Sequence, residues 1–121
     1  MILRSPRYYQ IVWMPSFVRT VDGVLNDEEV RELEQQLNND PGCGVVLSGS
    51  GGARKVRVAS RGRGKSGSAR VIYFFDEPCE QFYLLLAFPK NVQANLTPEQ
   101  ARRVRALVET LKAQDCYGNE R

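Results

Sequence analysis

Two strongly β-forming runs lie almost end to end in this sequence. Arg70-Val71-Ile72-Tyr73-Phe74-Phe75 is followed by the turn residues Asp76-Glu77-Pro78, and then by Phe82 to Phe88. β-branched and aromatic residues dominate both runs, which predicts two strands. So short a connection favours antiparallel pairing, because parallel neighbours need a long crossover. Phe82 to Phe88 is nearly continuous in apolar residues, which predicts a central strand covered on both faces. Just upstream, Arg54-Lys55-Val56-Arg57-Val58 alternates in the manner of a strand. Val56 and Val58 fall on one face, Lys55 and Arg57 on the other.

The remaining segments supply helices and a first strand. Tyr8 to Trp13 is rich in aromatic and β-branched residues and predicts a strand. Asn26-Asp27-Glu28-Glu29 reads as a helix start, a capping residue followed by acids at the positive helix end. Val30, Leu33 and Leu37 continue it at helical spacing, and Asn38 to Gly42 stops it. Val45-Val46-Leu47 predicts a short extended piece before the Gly49-Ser50-Gly51-Gly52 turn. Thr97-Pro98-Glu99-Gln100 is a capping box with proline at the first helical position, and Ala101, Val104, Leu107 and Leu111 form the apolar stripe of a last helix. The expected fold class is α+β: a curved antiparallel sheet, an N-terminal helix or helix pair, and a C-terminal helix. The 121 residues fit one domain, with 1–7 and 115–121 expected as loose termini. No run approaches the ~18 apolar residues of a membrane helix. Tyr8 to Val18 is short, is broken by Pro15 and lacks a clear cleavage site, so it reads as structure, not a signal peptide. A cytoplasmic location is the default expectation.

Charge is unevenly spread. Arg54, Lys55, Arg57, Arg61, Arg63, Lys65 and Arg70 are seven cations with no acid between them. The rest of the chain holds ten basic and fourteen acidic residues, so one face should be strongly cationic. There is no histidine, which excludes Ser-His-Asp and Cys-His catalysis and most zinc sites. Acid–base work would fall to Lys, Tyr, Asp, Glu or a group on the ligand. Cys43, Cys79 and Cys116 match no zinc spacing and are expected to be reduced, non-catalytic thiols. Neither a metal nor another cofactor is expected.

Ala59 to Ser66 satisfies a permissive phosphate-loop pattern. A nucleotide loop requires a helix after it, and Ser68 to Tyr73 are strand-forming, so the match reads as chance. Two readings of the basic segment remain: a solvated hairpin turn, or a grip on a phosphate backbone. Unanswered like charges and the excess of arginine, whose planar fork suits phosphate, favour the second. Tyr73 and Phe88 are candidates to stack an unpaired base, which points to RNA or single strands. Tyr73 reads equally well as a half-buried sheet tyrosine, and Arg54 as a structural arginine paired with an acid.

These residues form a recognisable set. Gly51-Gly52-Ala53-Arg54-Lys55-Val56-Arg57, the loop Gly62-Arg63-Gly64-Lys65-Ser66-Gly67 and Arg70-Val71-Ile72-Tyr73-Phe74 come in this order. Leu84-Leu85-Leu86-Ala87-Phe88-Pro89-Lys90-Asn91 and Leu96-Thr97 follow. Together they resemble the RelE/HigB superfamily of bacterial toxins, most like its HigB-like branch, over about residues 8 to 113. The resemblance implies a fold similar to microbial ribonucleases and a toxin of a type II toxin–antitoxin pair. Many such toxins cut mRNA in the ribosomal A site, using the RNA 2′-hydroxyl as nucleophile without a metal. Implied partners are mRNA, the ribosome and a helix-turn-helix antitoxin, with operator DNA reached only through the antitoxin and no membrane. Carried over by position, Arg70 is the first candidate for phosphate stabilisation and Lys90 for acid–base or charge-stabilising work. Arg63 and Lys65 complete the expected catalytic set. Arg54, Lys55, Arg57, Arg61, Tyr73 and Phe88 form the expected RNA-binding set. Phe88 stands where many relatives carry tyrosine, and Ser66 and Val92 where basic and acidic residues are common. Weaker cleavage or an altered codon preference would follow. The competing readings are an RNA- or ribosome-binding module that does not cut, and a protein-interaction domain using the same basic face.

Overall fold

The computed structural model describes residues 9–60 and 67–117. Among these, the chain runs β1 (Gln10–Trp13), α1 (Pro15–Val21), α2 (Asp27–Asn39), β2 (Val45–Val46), β3 (Arg54–Ser60), β4 (Gly67–Asp76), β5 (Gln81–Pro89) and α3 (Pro98–Lys112). The fold is α+β as expected, with a helix pair, the second of the two alternatives, at the N-terminal side and the expected closing helix. One five-stranded sheet has the order β1-β5-β4-β3-β2. Strands β2 to β5 are antiparallel to their neighbours, whereas β1 lies parallel beside β5. The expectation of a wholly antiparallel sheet is therefore corrected at one edge. β1 and β5 are neighbours in the sheet but far apart in sequence, with α1, α2 and three strands between them, so no hairpin forces them antiparallel.

Strand alternation builds two cores. Val56, Val58, Val71, Tyr73, Phe82 and Leu84 point to the α1–α2 side, where Phe17, Leu33 and Leu37 meet them. Ile72, Phe74, Leu85 and Phe88 point to the other side, under Val104, Val108 and Leu111 of α3. Strand β5 is covered on both faces, as its unbroken apolar run predicts. Its register slips once: Tyr73 pairs with Leu84 but Ile72 pairs with Leu86. Leu85 is thus the extra residue of a β-bulge, and both Leu85 and Leu86 reach the α3 side.

Beyond the end of β1, side chains of α1 take over the exposed edge of β5. The Met14 amide donates to the Leu84 carbonyl at 3.0 Å. The Ser16 hydroxyl donates to the Leu85 carbonyl at 2.6 Å, and the Ala87 amide donates to the Thr20 hydroxyl at 3.0 Å. A bare strand edge is a template for unwanted pairing, and here two hydroxyls close it. Thr20→Val keeps the shape but strands the Ala87 amide. A loss of about 1–3 kcal/mol is expected, read as a lower urea midpoint with an unchanged slope.

Both long helices begin on reciprocal caps. Asn26 and Glu29 exchange side chain–backbone hydrogen bonds at 2.8 and 2.9 Å. Thr97 and Gln100 do the same at 2.9 and 3.1 Å. The cap at Thr97 fixes where α3 starts, and with it the loop that leaves β5 through Lys90.

Cys79, in the turn between β4 and β5, is joined to Cys116, beyond α3, by a disulfide. This corrects the expectation of three reduced thiols; only Cys43 is free. Of the segment 115–121 expected to be loose, Cys116 carries this bond and residues 118–121 lie outside the described residues. Residues 1–7 lie outside the described residues. No described helix is long and apolar enough to cross a membrane.

Candidate nucleic-acid interface

Strand β4 is bonded on both sides, and Arg70 lies in its first half. Its register partners are Arg57 on β3 and Phe88 on β5. Directly paired residues have Cβ atoms ~5 Å apart, and diagonal neighbours lie at ~7–8 Å. Lys55, two residues before Arg57, is one diagonal neighbour of Arg70. Lys90 is the other: its amide donates to the Ser68 carbonyl at 3.0 Å, extending the β4–β5 ladder past Pro89. Two cations on β3, one on β4 and one just past β5 therefore occupy neighbouring register positions.

Among the described residues, neither Arg57 nor Arg70 has a carboxylate partner. The Arg70 guanidinium donates instead to the Ser68 hydroxyl at 3.0 Å and, at 3.4 Å, to the Ala69 carbonyl. The Lys55 ammonium donates to the Asn95 side-chain carbonyl at 3.1 Å. Two of the three arginines of α3 behave differently. Arg103 pairs with Glu99 at 2.7 Å and Arg105 with Glu109 at 3.2 Å, exposed pairs worth a few tenths of a kcal/mol. Like charges facing each other across a sheet are destabilising. The facing Arg57–Arg70 pair thus carries a repulsion that a bound anion would relieve.

The structure divides the sequence-derived candidates. Lys55, Arg57, Arg70 and Lys90 come together. Arg61, Arg63 and Lys65 lie outside the described residues, although Ser60 and Gly67, which bracket that loop, are paired. Tyr73 leaves the RNA-binding set: it is wholly buried on the opposite face. Its hydroxyl donates to the Pro41 carbonyl at 2.8 Å and accepts from the Gly44 amide at 3.0 Å. Burial pushes its pKa up to about 12, with the Gly44 amide pulling partly the other way. Gly44 fits there because it has no side chain: a Cβ would come within 2.8 Å of the Tyr73 ring.

Phe88 also leaves the set. It is 5% exposed and packs beneath α3, so no face is open to stack a base. Arg54 sits on the far side of β3 and donates to the carbonyls of Gly44 and Gly42 at 2.8 and 3.3 Å. Carbonyls hold it there, where one sequence reading expected an acid. Two contributors went unread in the sequence, Ser68 and Asn95. Ser68 was legible, since it stands two residues before Arg70 in a strand and so shares its face. Asn95 was not, because the path of its loop is not encoded in any period.

Residues 17–116 match the family described as RelE toxin of RelE / RelB toxin-antitoxin system. The chain belongs to the RelE toxin family. It is thus a toxin of a toxin–antitoxin system, in a family whose partner is a RelB-type antitoxin. The match spans both helical layers and every strand that carries a clustered cation, so the RelE domain and the cationic cluster coincide.

Proposed function

We propose that this RelE-family chain is a metal-independent endoribonuclease that cuts mRNA in the ribosomal A site and so stops translation. The observation carrying this reading is the cation cluster of Lys55, Arg57, Arg70 and Lys90 on and beside paired strands, with no carboxylate partner among the described residues. In the reaction, the 2′-oxygen attacks the adjacent phosphorus and the 5′-oxygen of the next nucleotide leaves. The phosphate gains negative charge as the new bond forms. Arg70, fixed at the centre of the cluster, stabilises that charge. Lys90 donates a proton or a hydrogen bond to the departing oxygen, and Lys55 and Arg57 hold the flanking phosphates. Arg63 and Lys65 remain part of the proposed catalytic set and Arg61 of the RNA-binding set, on the resemblance alone. The 2′-hydroxyl proton passes to a lysine or to a group on the RNA or ribosome, since the chain has no histidine. The proposed antitoxin is of the helix-turn-helix kind, encoded beside the toxin gene, in keeping with the HigB-like branch.

The test is incubation of the purified chain with programmed ribosomes, followed by primer extension. Cuts at codon-defined positions, unaffected by a chelator, are expected. Co-sedimentation with ribosomes that leaves every message intact would replace this reading with that of a binding module. Binding to a short single-stranded RNA carries a second expectation. Four phosphate contacts give log K against log salt a slope of about −3. A salt-independent affinity would remove the phosphate-grip argument.

A further inference from the structure

We infer that Cys79 and Cys116 form a reversible thiol–disulfide switch, exchanged by glutathione or a dithiol reductant, that sets how firmly α3 is held on the sheet. The two cysteines are 37 residues apart, with their α-carbons at 5.1 Å. One belongs to the turn joining the two best-buried strands, the other to the segment just after α3. Cys116 is exposed and Cys79 half-buried, so a solvent thiolate reaches the bond. Exposed disulfides are the labile, exchanging kind.

The two ends of α3 are held by unlike means. At its start, the Thr97 cap, Gln93 bonded to Gln100 at 2.8 Å, and Asn95 bonded to Lys55 fix the helix. At its end, Val108 and Leu111 are buried, while Glu109, Thr110 and Lys112 are exposed. The Lys112 ammonium stands 5.9 Å from the centre of the Phe74 ring. The disulfide adds a covalent tie just past this last turn. A reductant thiolate attacks the Cys116 sulfur and the Cys79 thiolate leaves. A second thiol then resolves the mixed disulfide. The protein gains two electrons and two protons, and the reductant becomes a disulfide. Cys43, free and half-buried 3.9 Å from the Tyr73 hydroxyl, takes no part. The switch concerns α3 alone and stands whether or not the chain cuts RNA.

The experiment equilibrates the full chain in glutathione buffers of graded ratio, then alkylates it and measures mass. A two-thiol transition is expected between oxidising and reducing ratios, with Cys43 modifiable throughout. Hydrogen exchange of the amides of Val108 to Lys112 should quicken at least about tenfold on reduction, while α2 is unchanged. Cys79→Ser and Cys116→Ser should each show the reduced pattern in every buffer, and Cys43→Ser should match the parent chain. A pair that never oxidises with glutathione, one that never reduces with dithiothreitol, or equal exchange of α3 in both states would each overturn the switch.

Discussion

Arg70→Ala is expected to slow message cleavage about 10²- to 10³-fold, the loss that follows removal of one fixed donor to a developing charge. Folding should be nearly unaffected. Arg70 stands directly opposite Arg57, so truncating it relieves a like-charge pair. The half-buried stem gives up some packing in exchange. The net change in stability should stay within ~1 kcal/mol by urea unfolding. Arg70→Lys should recover only part of the activity, because an ammonium cannot offer the planar fork that holds the Ser68 hydroxyl and a phosphate at once. Cleavage at parental rates by the alanine variant would remove Arg70 from the site. A loss of several kcal/mol would instead mark it as a structural arginine.

Tyr73→Phe should do the reverse, weakening the fold while leaving the activity of each folded molecule unchanged. The hydroxyl makes two hydrogen bonds in the Pro41–Gly44 loop, and Gly44 is buried. Stranding that amide costs about 1–3 kcal/mol, and losing the bond to Pro41 about 1 more. The pH dependence gives a second signature. The folded pKa is about 12 against an ordinary value of 10. Below pH 10 the phenol is protonated in both states and contributes no pH dependence. Between pH 10 and about 12 the unfolded chain releases the proton and the folded chain keeps it. The unfolded state then binds fewer protons, so stability falls as pH rises. The two-unit shift corresponds to about 2–3 kcal/mol. Comparing the parent chain with the phenylalanine variant isolates this loss from the other groups that titrate there. Parallel alkaline profiles for the two proteins would contradict the burial of the hydroxyl.

Much of the fold is written locally. The hairpin of β4 and β5, the capped starts of α2 and α3 and the placement of Lys55 and Arg57 all follow from spacing and side-chain type. Parity along a strand decides which side chains can meet. Arg70 and Tyr73 are three residues apart, as are Arg54 and Arg57, so each pair points to opposite faces. That alone removes Tyr73 and Arg54 from the cationic cluster. Other features have no local signal. The parallel seat of β1 depends on where α1 and α2 return the chain. The bulge at Leu85 depends on packing against both layers. The burial of Phe88 depends on where α3 comes to rest. The Cys79–Cys116 bond joins segments that only the finished fold brings together.

The bonding of β4 on both sides has a consequence for how the toxin can be silenced. Arg70 cannot be drawn out of place without breaking the ladders to β3 and β5 together, among the last parts of a domain to open. Inhibition by distorting the cluster is therefore the costly route. A neutralising partner gains more by occlusion, laying carboxylates over four cations that the fold has already brought together. Such a complex would leave the toxin preorganised, ready to act as soon as its cover is removed.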